Sequence, residues 1–272
     1  MNPAAYIEMA NTEDSHWWFY GRRAILKYLI STFKLPTDAR ILEIGSGTGG
    51  NLRMLSSFGK VSAMEMDPTA RKISLQKTDG LYDIRLGACP SGIPFVNVRF
   101  DLICLIDVLE HIEEDVETLV AVKSLLSERG RILITVPANR WLWSSHDDFL
   151  YHKRRYSVSE LRKKAAESGL SINKLSYYNT FMFPLEAIVR LKDKILAKSS
   201  ASGTKIPSSI INKSLMKIFS AERYLIRLFD LPFGVSLFCV LYVSMRKSNV
   251  LQRSLMKKAA RFFMTGLLID LS

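Results

Sequence analysis

The chain has 272 residues, of which 48% are hydrophobic, and a formal net charge of +12, which together predict one large globular domain with a substantial core. The longest apolar run, Val235 to Val243, is far shorter than the roughly 20 residues of a membrane-spanning helix, which argues against such a helix. Three cysteines without paired spacing argue against a disulfide framework and indicate a reducing compartment.

Residues 41–50 form the most informative segment, which reads Ile-Leu-Glu-Ile-Gly-Ser-Gly-Thr-Gly-Gly. An apolar run that stops at closely spaced glycines predicts a buried strand over 41–45, a tight turn, and a helix over 49–57. Glycine suits such a turn because the backbone takes positive φ and comes close to a ligand. We therefore predict a cofactor-binding turn made of Gly45, Ser46, Gly47, Thr48 and Gly49.

Glu43 narrows the choice of ligand. The glycine spacing also satisfies the dinucleotide fingerprint G-x-G-x-x-G, with Gly50 as its last residue. A carboxylate beside two phosphates would repel them, and an NAD-binding strand normally carries an apolar residue at this position. S-adenosylmethionine has no phosphate and carries an ammonium and a sulfonium group. Glu43 therefore favours S-adenosylmethionine, while a glycine turn without a ligand is the plain structural alternative.

The next apolar run, from Lys60 to Asp67, predicts a second strand over 60–66 that ends in acids, and Pro68 then opens a helix over 69–77. Glu65 lies twenty residues after Gly45, a spacing at which a carboxylate can accept both hydroxyls of a ribose. We assign Glu65 and the adjacent Met66 to the cofactor. Asp67 is expected to cap the following helix or to stay solvated.

A third block runs from Phe100 to Ile112. Its apolar strand, predicted over 101–106, ends at Asp107, and the sequence Val-Leu-Glu-His then leads into an acidic helix predicted over 113–128. Further strands are predicted over 82–87 and 131–136. Strands that alternate with helices indicate a parallel sheet covered on both faces.

Together, the segments Leu-Glu-Ile-Gly-Ser-Gly-Thr-Gly, Met-Glu-Met-Asp and Asp-Val-Leu-Glu-His-Ile resemble class I S-adenosylmethionine-dependent methyltransferases of the bacterial small-molecule type. The resemblance covers about residues 15–180. It implies that the glycine turn lies beneath the methionine part of the cofactor and that Asp107 lines the methyl-transfer site. Members often carry an acid after strand 3 for the adenine amino group. This chain has Gly-Ala-Cys there, so adenine is expected to be recognised by backbone groups, with Ala88 assigned to the cofactor, or the carboxylate has simply been lost.

The resemblance also implies a Rossmann-like α/β fold, with seven mostly parallel strands and an antiparallel last strand between strands 5 and 6. We expect a methyltransferase domain over 1–247, with an N-terminal helical lid over 1–35 and a helical insertion over 181–231. A basic amphipathic tail is expected over 248–272. Ser157 to Glu160 is a capping box that predicts a helix over 158–167, and strands 6 and 7 are predicted over 172–179 and 236–244.

Two segments are expected to shape the acceptor site. Residues 16–23, His-Trp-Trp-Phe-Tyr-Gly-Arg-Arg, resemble a family segment that covers the cofactor, although the aromatic side chains could equally anchor a helix on the core. Residues 141–156 follow strand 5 and combine aromatic, histidine and basic side chains. Because α/β sheets bind ligands at the carboxyl ends of their strands, we expect this loop to form a wall of the acceptor pocket.

Histidine is the expected catalytic residue type, because a hydroxyl acceptor must lose a proton near neutral pH. His111 is the first candidate and His152 the second, and a purely structural histidine is the alternative for either. Asp107, Glu110, His111 and His152 loosely resemble an acid-x-x-Glu-His…His set that binds a divalent ion in some small-RNA 2′-hydroxyl and ubiquinone-pathway O-methyltransferases. We assign no metal ligands from the sequence.

The positive charge is concentrated near the C-terminus. Residues 182–272 hold 15 Lys and Arg against 5 Asp and Glu, interleaved with apolar residues at helical spacing. Helices over 182–230 and 250–270 are therefore expected either to pack on the sheet or to bind anionic lipid. Nucleic acid ranks last, because the aromatic residues lie on the apolar face and form no stacking platform.

These observations predict a methyltransferase that uses S-adenosylmethionine to methylate a small-molecule or lipid- or glycan-like acceptor, with oxygen as the preferred acceptor atom. Alternatives are N- or C-methylation, an NAD-binding oxidoreductase, or a catalytically silent cofactor-binding module. The first residues show neither a basic nor an apolar signal-peptide region. We therefore expect a cytoplasmic protein that can lie peripherally at the inner membrane face.

Overall fold

One seven-stranded sheet organises residues 3–196 and 206–244, the part of the chain that the computed structural model describes. Its order is β3-β2-β1-β4-β5-β7-β6. The strands are β1 (Arg40–Ile44), β2 (Lys60–Glu65), β3 (Asp83–Leu86), β4 (Phe100–Ile106), β5 (Leu126–Pro137), β6 (Ser171–Tyr178) and β7 (Ser236–Tyr242).

Strand direction determines where the site can lie. β1 pairs in parallel with β2 on one side and β4 on the other, so the order reverses between β1 and β4. This is the point where open α/β sheets bind ligands. β7 runs antiparallel to both β5 and β6, which confirms the predicted seven-stranded sheet with its antiparallel last strand.

The helices are α1 (Pro3–Thr12), α2 (Trp17–Ser31), α3 (Leu52–Leu55), α4 (Pro68–Lys77), α5 (Asp115–Lys123), α6 (Ser145–Phe149), α7 (Val158–Glu167), α8 (Phe183–Leu196) and α9 (Ser209–Leu228). These helices cover both faces of the sheet. Successive strand residues point to opposite faces, so alternate side chains of a strand pack on different helices. Ile103 of β4 packs with α5 and α7 on one face. Leu102 packs with α2, α3 and α9 on the other.

Two predicted helices are shorter in the structure. The acidic helix ends at Lys123, because β5 already begins at Leu126, where Leu126 pairs with Phe100 across an irregular step in the register. The helix after the glycine turn covers only Leu52–Leu55. The helix caps follow the sequence more closely. The Asp67 carboxylate accepts hydrogen bonds from the first turn of α4, and the predicted capping box begins α7.

The insertion between β6 and β7 is helical, as expected, and consists of α8 and α9. α9 packs along α2, where the Phe219 ring meets the Trp17 ring with centroids 5.8 Å apart. Among the helices of the described residues, none is both long and apolar enough to cross a bilayer. The expected tail over 248–272 lies outside the described residues, as do residues 197–205 between α8 and α9.

Candidate active site

A cavity of about 430 Å³ lies at the carboxyl ends of β1, β2 and β4, beneath α1 and α2. Most of the residues that the sequence singled out line it, namely Gly45, Ser46, Gly47, Glu65, Met66, Ala88, Asp107, His111 and His152. Glu43, Thr48 and Gly49 lie behind this surface. The cavity has the size of a small-molecule site.

The glycine turn has the backbone that the sequence predicts. Gly45, Gly47 and Gly49 have φ of +67°, +54° and +87°. A side chain at Gly45 would come within 2.7 Å of Val108, and one at Gly49 would collide with Ser74, so these two glycines also serve packing. A side chain at Gly47 would extend toward the tip of Met9, at the cavity surface.

Glu65 is held firmly beside this turn. Its Oε2 accepts a hydrogen bond from the Gly47 N–H at 2.7 Å, and its Oε1 accepts one from the Asp67 N–H at 2.9 Å. Burial raises the pKa of Glu65, while these backbone hydrogen bonds act in the opposite direction. Two oriented carboxylate oxygens at the cavity surface suit the two hydroxyls of a ribose.

Glu43 is buried one layer deeper. Its Oε1 accepts a hydrogen bond from the Asn51 side chain at 2.8 Å, whereas its Oε2 has no hydrogen-bond partner among the described residues. Burial raises the pKa of Glu43 to about 8, although Asn51 and Arg22 act in the opposite direction. An incompletely satisfied buried carboxylate behind the glycine turn suits a cationic ligand group.

Arg22 is a site residue that the sequence analysis placed only within the 16–23 segment. Its guanidinium forms an ion pair with Asp107 and lies 4.6 Å from the centre of the Trp18 ring. The other Asp107 oxygen accepts a hydrogen bond from Thr135 at 2.8 Å. The clustering of aromatic and arginine residues was visible in the sequence, but the pairing of Arg22 with Asp107, just after β4, depends on the fold. The segment therefore both anchors α2 and contributes to the cavity.

The two candidate histidines are neighbours. The ring centroids of His111 and His152 lie 4.8 Å apart at an interplanar angle of 75°. The Nδ1 atom of His152 is 2.9 Å from Asp147 Oδ1, and Arg155 holds both oxygens of Asp147 at 2.8 and 3.0 Å. Burial, together with the neighbouring His152, lowers the pKa of His111 to about 3. Asp147, which fixes His152, was not identified from the sequence.

The loop after β5 forms one wall of the cavity. Its segment α6 and the following turn contribute His146, Phe149 and Leu150. α8 adds Val189 and Arg190, and Arg190 donates a hydrogen bond to the Leu142 carbonyl at 3.0 Å. The helical insertion is thereby tied to the wall.

The methyltransferase-domain family model matches residues 17–179, more than half of the chain, and the chain therefore belongs to this family. It is a methyltransferase that uses S-adenosylmethionine, and the alternative of an NAD-binding oxidoreductase is set aside. The site fits that cofactor, because it combines a glycine turn at positive φ, a buried carboxylate with a free oxygen and an oriented strand-end carboxylate. No curated protein gives a significant match to the sequence.

Solved structures share the fold at low sequence identity. A Haloferax volcanii complex of the Trm112 methyltransferase activator with a protein assigned as a methyltransferase matches with TM-score 0.56 and 16% identity, covering 89% of this chain and 94% of that one. A protein assigned as a sarcosine dimethylglycine methyltransferase from Galdieria sulphuraria matches with TM-score 0.54 and 18% identity, covering 81% of this chain and 84% of that one. Phosphoethanolamine N-methyltransferase 2 of Haemonchus contortus, in complex with S-adenosylmethionine, matches with TM-score 0.52 and 19% identity. The match covers 80% of this chain and 51% of that one.

Proposed function

We propose that the protein transfers a methyl group to a hydroxyl oxygen of a small amphiphilic acceptor, such as a lipid- or glycan-like molecule. The observation that carries this proposal is the His111–His152 pair at the cavity surface, with His152 fixed by Asp147. A hydroxyl is a poor nucleophile until it loses its proton, so a site for oxygen acceptors needs groups that assist this loss.

We assign the cofactor to the glycine turn and the two carboxylates. Gly45, Gly47 and Ala88 would let the backbone approach it, Glu65 would accept the ribose hydroxyls, and Glu43 would face the cationic methionine end. When bound, S-adenosylmethionine supplies a methyl group on a sulfonium, and the electron pair of the broken S–C bond stays on sulfur. The acceptor oxygen contributes the electron pair of the new C–O bond.

The histidine pair is assigned to the acceptor proton, with His111 and His152 as the two candidate residues. The lowered pKa of His111 makes it a weak proton acceptor, so the pair would assist either through His152 or by holding a cation that makes the hydroxyl more acidic. Both routes require the two rings to lie at the acceptor. Asp147 would keep the His152 ring in one orientation for either route.

The wall of the cavity supports an amphiphilic acceptor. Phe149, Leu150 and Val189 provide apolar surface, and Arg190 and His146 lie beside them. Val189 is also exposed to solvent, so part of this apolar lining is accessible. An acceptor with a polar reacting end and an apolar body matches this surface.

We further propose that the protein is cytoplasmic and lies peripherally on an anionic inner membrane surface. On α9, Ile210 and Leu228 are exposed, as is Phe229 just after the helix, and the exposed basic residues Lys213 and Lys217 lie on the same helix. Apolar and basic residues exposed together on one helix are typical of binding to anionic lipid.

An acceptor screen tests the proposed reaction. The protein is incubated with methyl-labelled S-adenosylmethionine and with lipid and aqueous fractions of a cell extract, and the labelled product is identified by mass spectrometry. We expect a methyl group on oxygen in the lipid fraction. A product methylated on nitrogen or carbon would contradict the proposal.

His111→Ala sharpens this test. We expect turnover to fall by roughly 10²–10⁴-fold because the acceptor proton is no longer assisted, with little change in cofactor affinity. His146→Ala is the matched control, since His146 also lines the cavity but is not one of the two paired rings. Equal turnover in the two variants would remove His111 from the chemical step.

A further inference from the structure

Glu110 is a buried carboxylate that the structure leaves unsatisfied. Its side chain is fully buried in the short helical turn after β4, and neither carboxylate oxygen accepts a hydrogen bond from another described residue. The Arg22 guanidinium, which could have neutralised it, is paired with Asp107 instead. Burial raises the pKa of Glu110 well above its usual range, so a charged Glu110 on the cavity wall calls for a cationic partner there.

Two imidazoles stand beside this carboxylate. One ligand atom each from Glu110, His111 and His152 can be chosen so that the three atoms lie within 4.8 Å of one another. The segment that carries Glu110 and His111 and the segment that carries His152 are linked directly. The Lys153 N–H donates a hydrogen bond to the Glu110 carbonyl at 2.8 Å. Two neutral nitrogen donors and one carboxylate oxygen form a set that first-row divalent metals favour over Mg²⁺ or Ca²⁺.

The surroundings of His152 agree with such a role. Its Nδ1 is engaged by Asp147, which leaves Nε2 to bind a ligand in the cavity. Metal-binding histidines usually engage a carboxylate through the second ring nitrogen, which fixes the ring orientation. Asp147 is itself held by Arg155, so the supporting contacts are already in place.

We infer that Glu110, His111 and His152 bind a divalent first-row metal ion such as Zn²⁺ at the acceptor end of the cavity. Bonds of about 2.0–2.2 Å would draw the three ligand atoms slightly closer together and leave coordination positions open toward the cavity. Asp107 takes no part in the site, because Arg22 and Thr135 occupy its two oxygens.

This inference rests on the proposed oxygen methylation and specifies how the histidines assist it. A hydroxyl that coordinates the ion becomes more acidic, and its proton leaves to water, while the oxygen keeps the electron pair that forms the bond to the methyl carbon. The ion does not change its oxidation state. An acceptor with a second oxygen next to the hydroxyl could occupy both open positions.

Calorimetric titration with Zn²⁺ tests the site without any acceptor. The full-length protein is stripped with a chelator and titrated in the Cys89→Ser background, because Cys89 is a thiol that also lines the cavity. We expect one Zn²⁺ per chain, no comparable binding of Mg²⁺, and loss of binding in both Glu110→Gln and His111→Ala. Asp147→Asn should weaken binding by about 10–100-fold. His146→Ala is the control and should bind as the parent does.

Circular dichroism and thermal unfolding of each variant check that the fold is retained, and the two ligand variants give independent answers if one of them fails to fold. Absence of Zn²⁺ binding in the parent protein, or equal binding in the parent and in folded Glu110→Gln and His111→Ala, would overturn the inference. The proposed oxygen methylation is unaffected by that result, since it is decided by the product of the acceptor screen.

Discussion

At the residue scale, the position of Glu43 affects both cofactor binding and the stability of the fold. Glu43 must be buried to stand behind the glycine turn, and its burial makes the charged form unfavourable. One oxygen is satisfied by Asn51, and the other is left for a cationic partner. The residue therefore links cofactor preference to the pH dependence of stability.

Glu43→Gln should change how stability depends on pH. The pKa of Glu43 is about 8 in the folded protein against an ordinary value of 4.5. Between pH 4.5 and 8, the folded protein therefore holds a proton on Glu43 that the unfolded chain has lost. The free energy of unfolding then falls as pH rises from about 4.5 to 8, and levels off above. We expect Glu43→Gln to gain stability relative to wild type over this window, by an amount on the order of a few kcal/mol.

Urea denaturation of the cofactor-free protein at a series of pH values measures this difference. Glu128→Gln, at an exposed position of β5, is the control and should follow wild type. A constant difference between Glu43→Gln and wild type from pH 5 to 8 would show that Glu43 does not titrate in this range.

At the residue scale, the sequence predicts what short-range patterns encode. The glycine turn and Glu65 could be identified because their spacing reflects a local strand–turn–helix geometry. Arg22 and Asp147 could not be assigned roles, because their partners are brought to them by the sheet and by a loop. Glu110 was noted only as part of a loose motif, since burial without a partner is a property of the folded chain.

At the scale of elements, the N-terminal helices close the cavity. Glu13, just after α1, accepts hydrogen bonds from Thr48 Oγ1 at 2.8 Å and from Lys77 Nζ at 2.6 Å. It thereby ties the α1 end of the chain to both the glycine turn and α4. These contacts support the expectation that residues 1–35 act as a lid over the cofactor.

Glu13→Gln should speed release of the cofactor. The substitution removes the ion pair with Lys77 while keeping the side-chain shape, so the lid should open more often, and we expect S-adenosylmethionine to dissociate about 5–10-fold faster. Stopped-flow fluorescence can follow this, because Trp17 and Trp18 line the cavity. Asp14→Asn is the matched control, since Asp14 also pairs with Lys77 but is largely exposed. Equal dissociation rates in the two variants would exclude the lid.

The presence of each helix and strand could be predicted from the sequence, whereas its length was predicted less well. The capping box of α7 and the Asp67 cap of α4 are local signals, and both helices begin where the sequence predicts. The acidic helix α5 was predicted too long because residues 124–128 were assigned to it by local pattern. In the fold, Leu126 pairs with Phe100, and this tertiary contact extends β5 instead.

At the scale of the whole molecule, the alternation of strands and helices in the first two thirds was enough to predict the sheet. The place of β7 was taken from the family resemblance, since an antiparallel strand arriving after two helices cannot be derived from spacing alone. The concentration of positive charge near the C-terminus was visible in the sequence.

Membrane association should depend on the charge of α9. Each basic residue near an anionic surface contributes up to about 1 kcal/mol, so Lys213→Glu combined with Lys217→Glu should strongly reduce co-sedimentation with anionic vesicles. Lys163→Glu, on the exposed surface of α7, is the control. Lys164 is left unchanged, because it forms an ion pair with Asp115. Binding should also weaken with salt, as the Debye length shortens to about 8 Å at physiological ionic strength.

A form that ends at Arg246 extends this comparison to the C-terminal residues. We expect it to bind anionic vesicles less well than the full chain. Equal binding to neutral and anionic vesicles, or unchanged binding in both the α9 variant and the shortened form, would show that these segments do not bind lipid.

The central claim is that the glycine turn on β1 binds S-adenosylmethionine, and calorimetry on a matched pair of glycine variants tests it most directly. Gly47 and Gly80 both have positive φ, but only Gly47 lines the cavity, and Gly80 faces open space. We predict that wild type and Gly80→Val bind S-adenosylmethionine, that folded Gly47→Val does not, and that none binds NAD as tightly. Unchanged affinity in folded Gly47→Val, or tighter binding of NAD than of S-adenosylmethionine, would contradict the account.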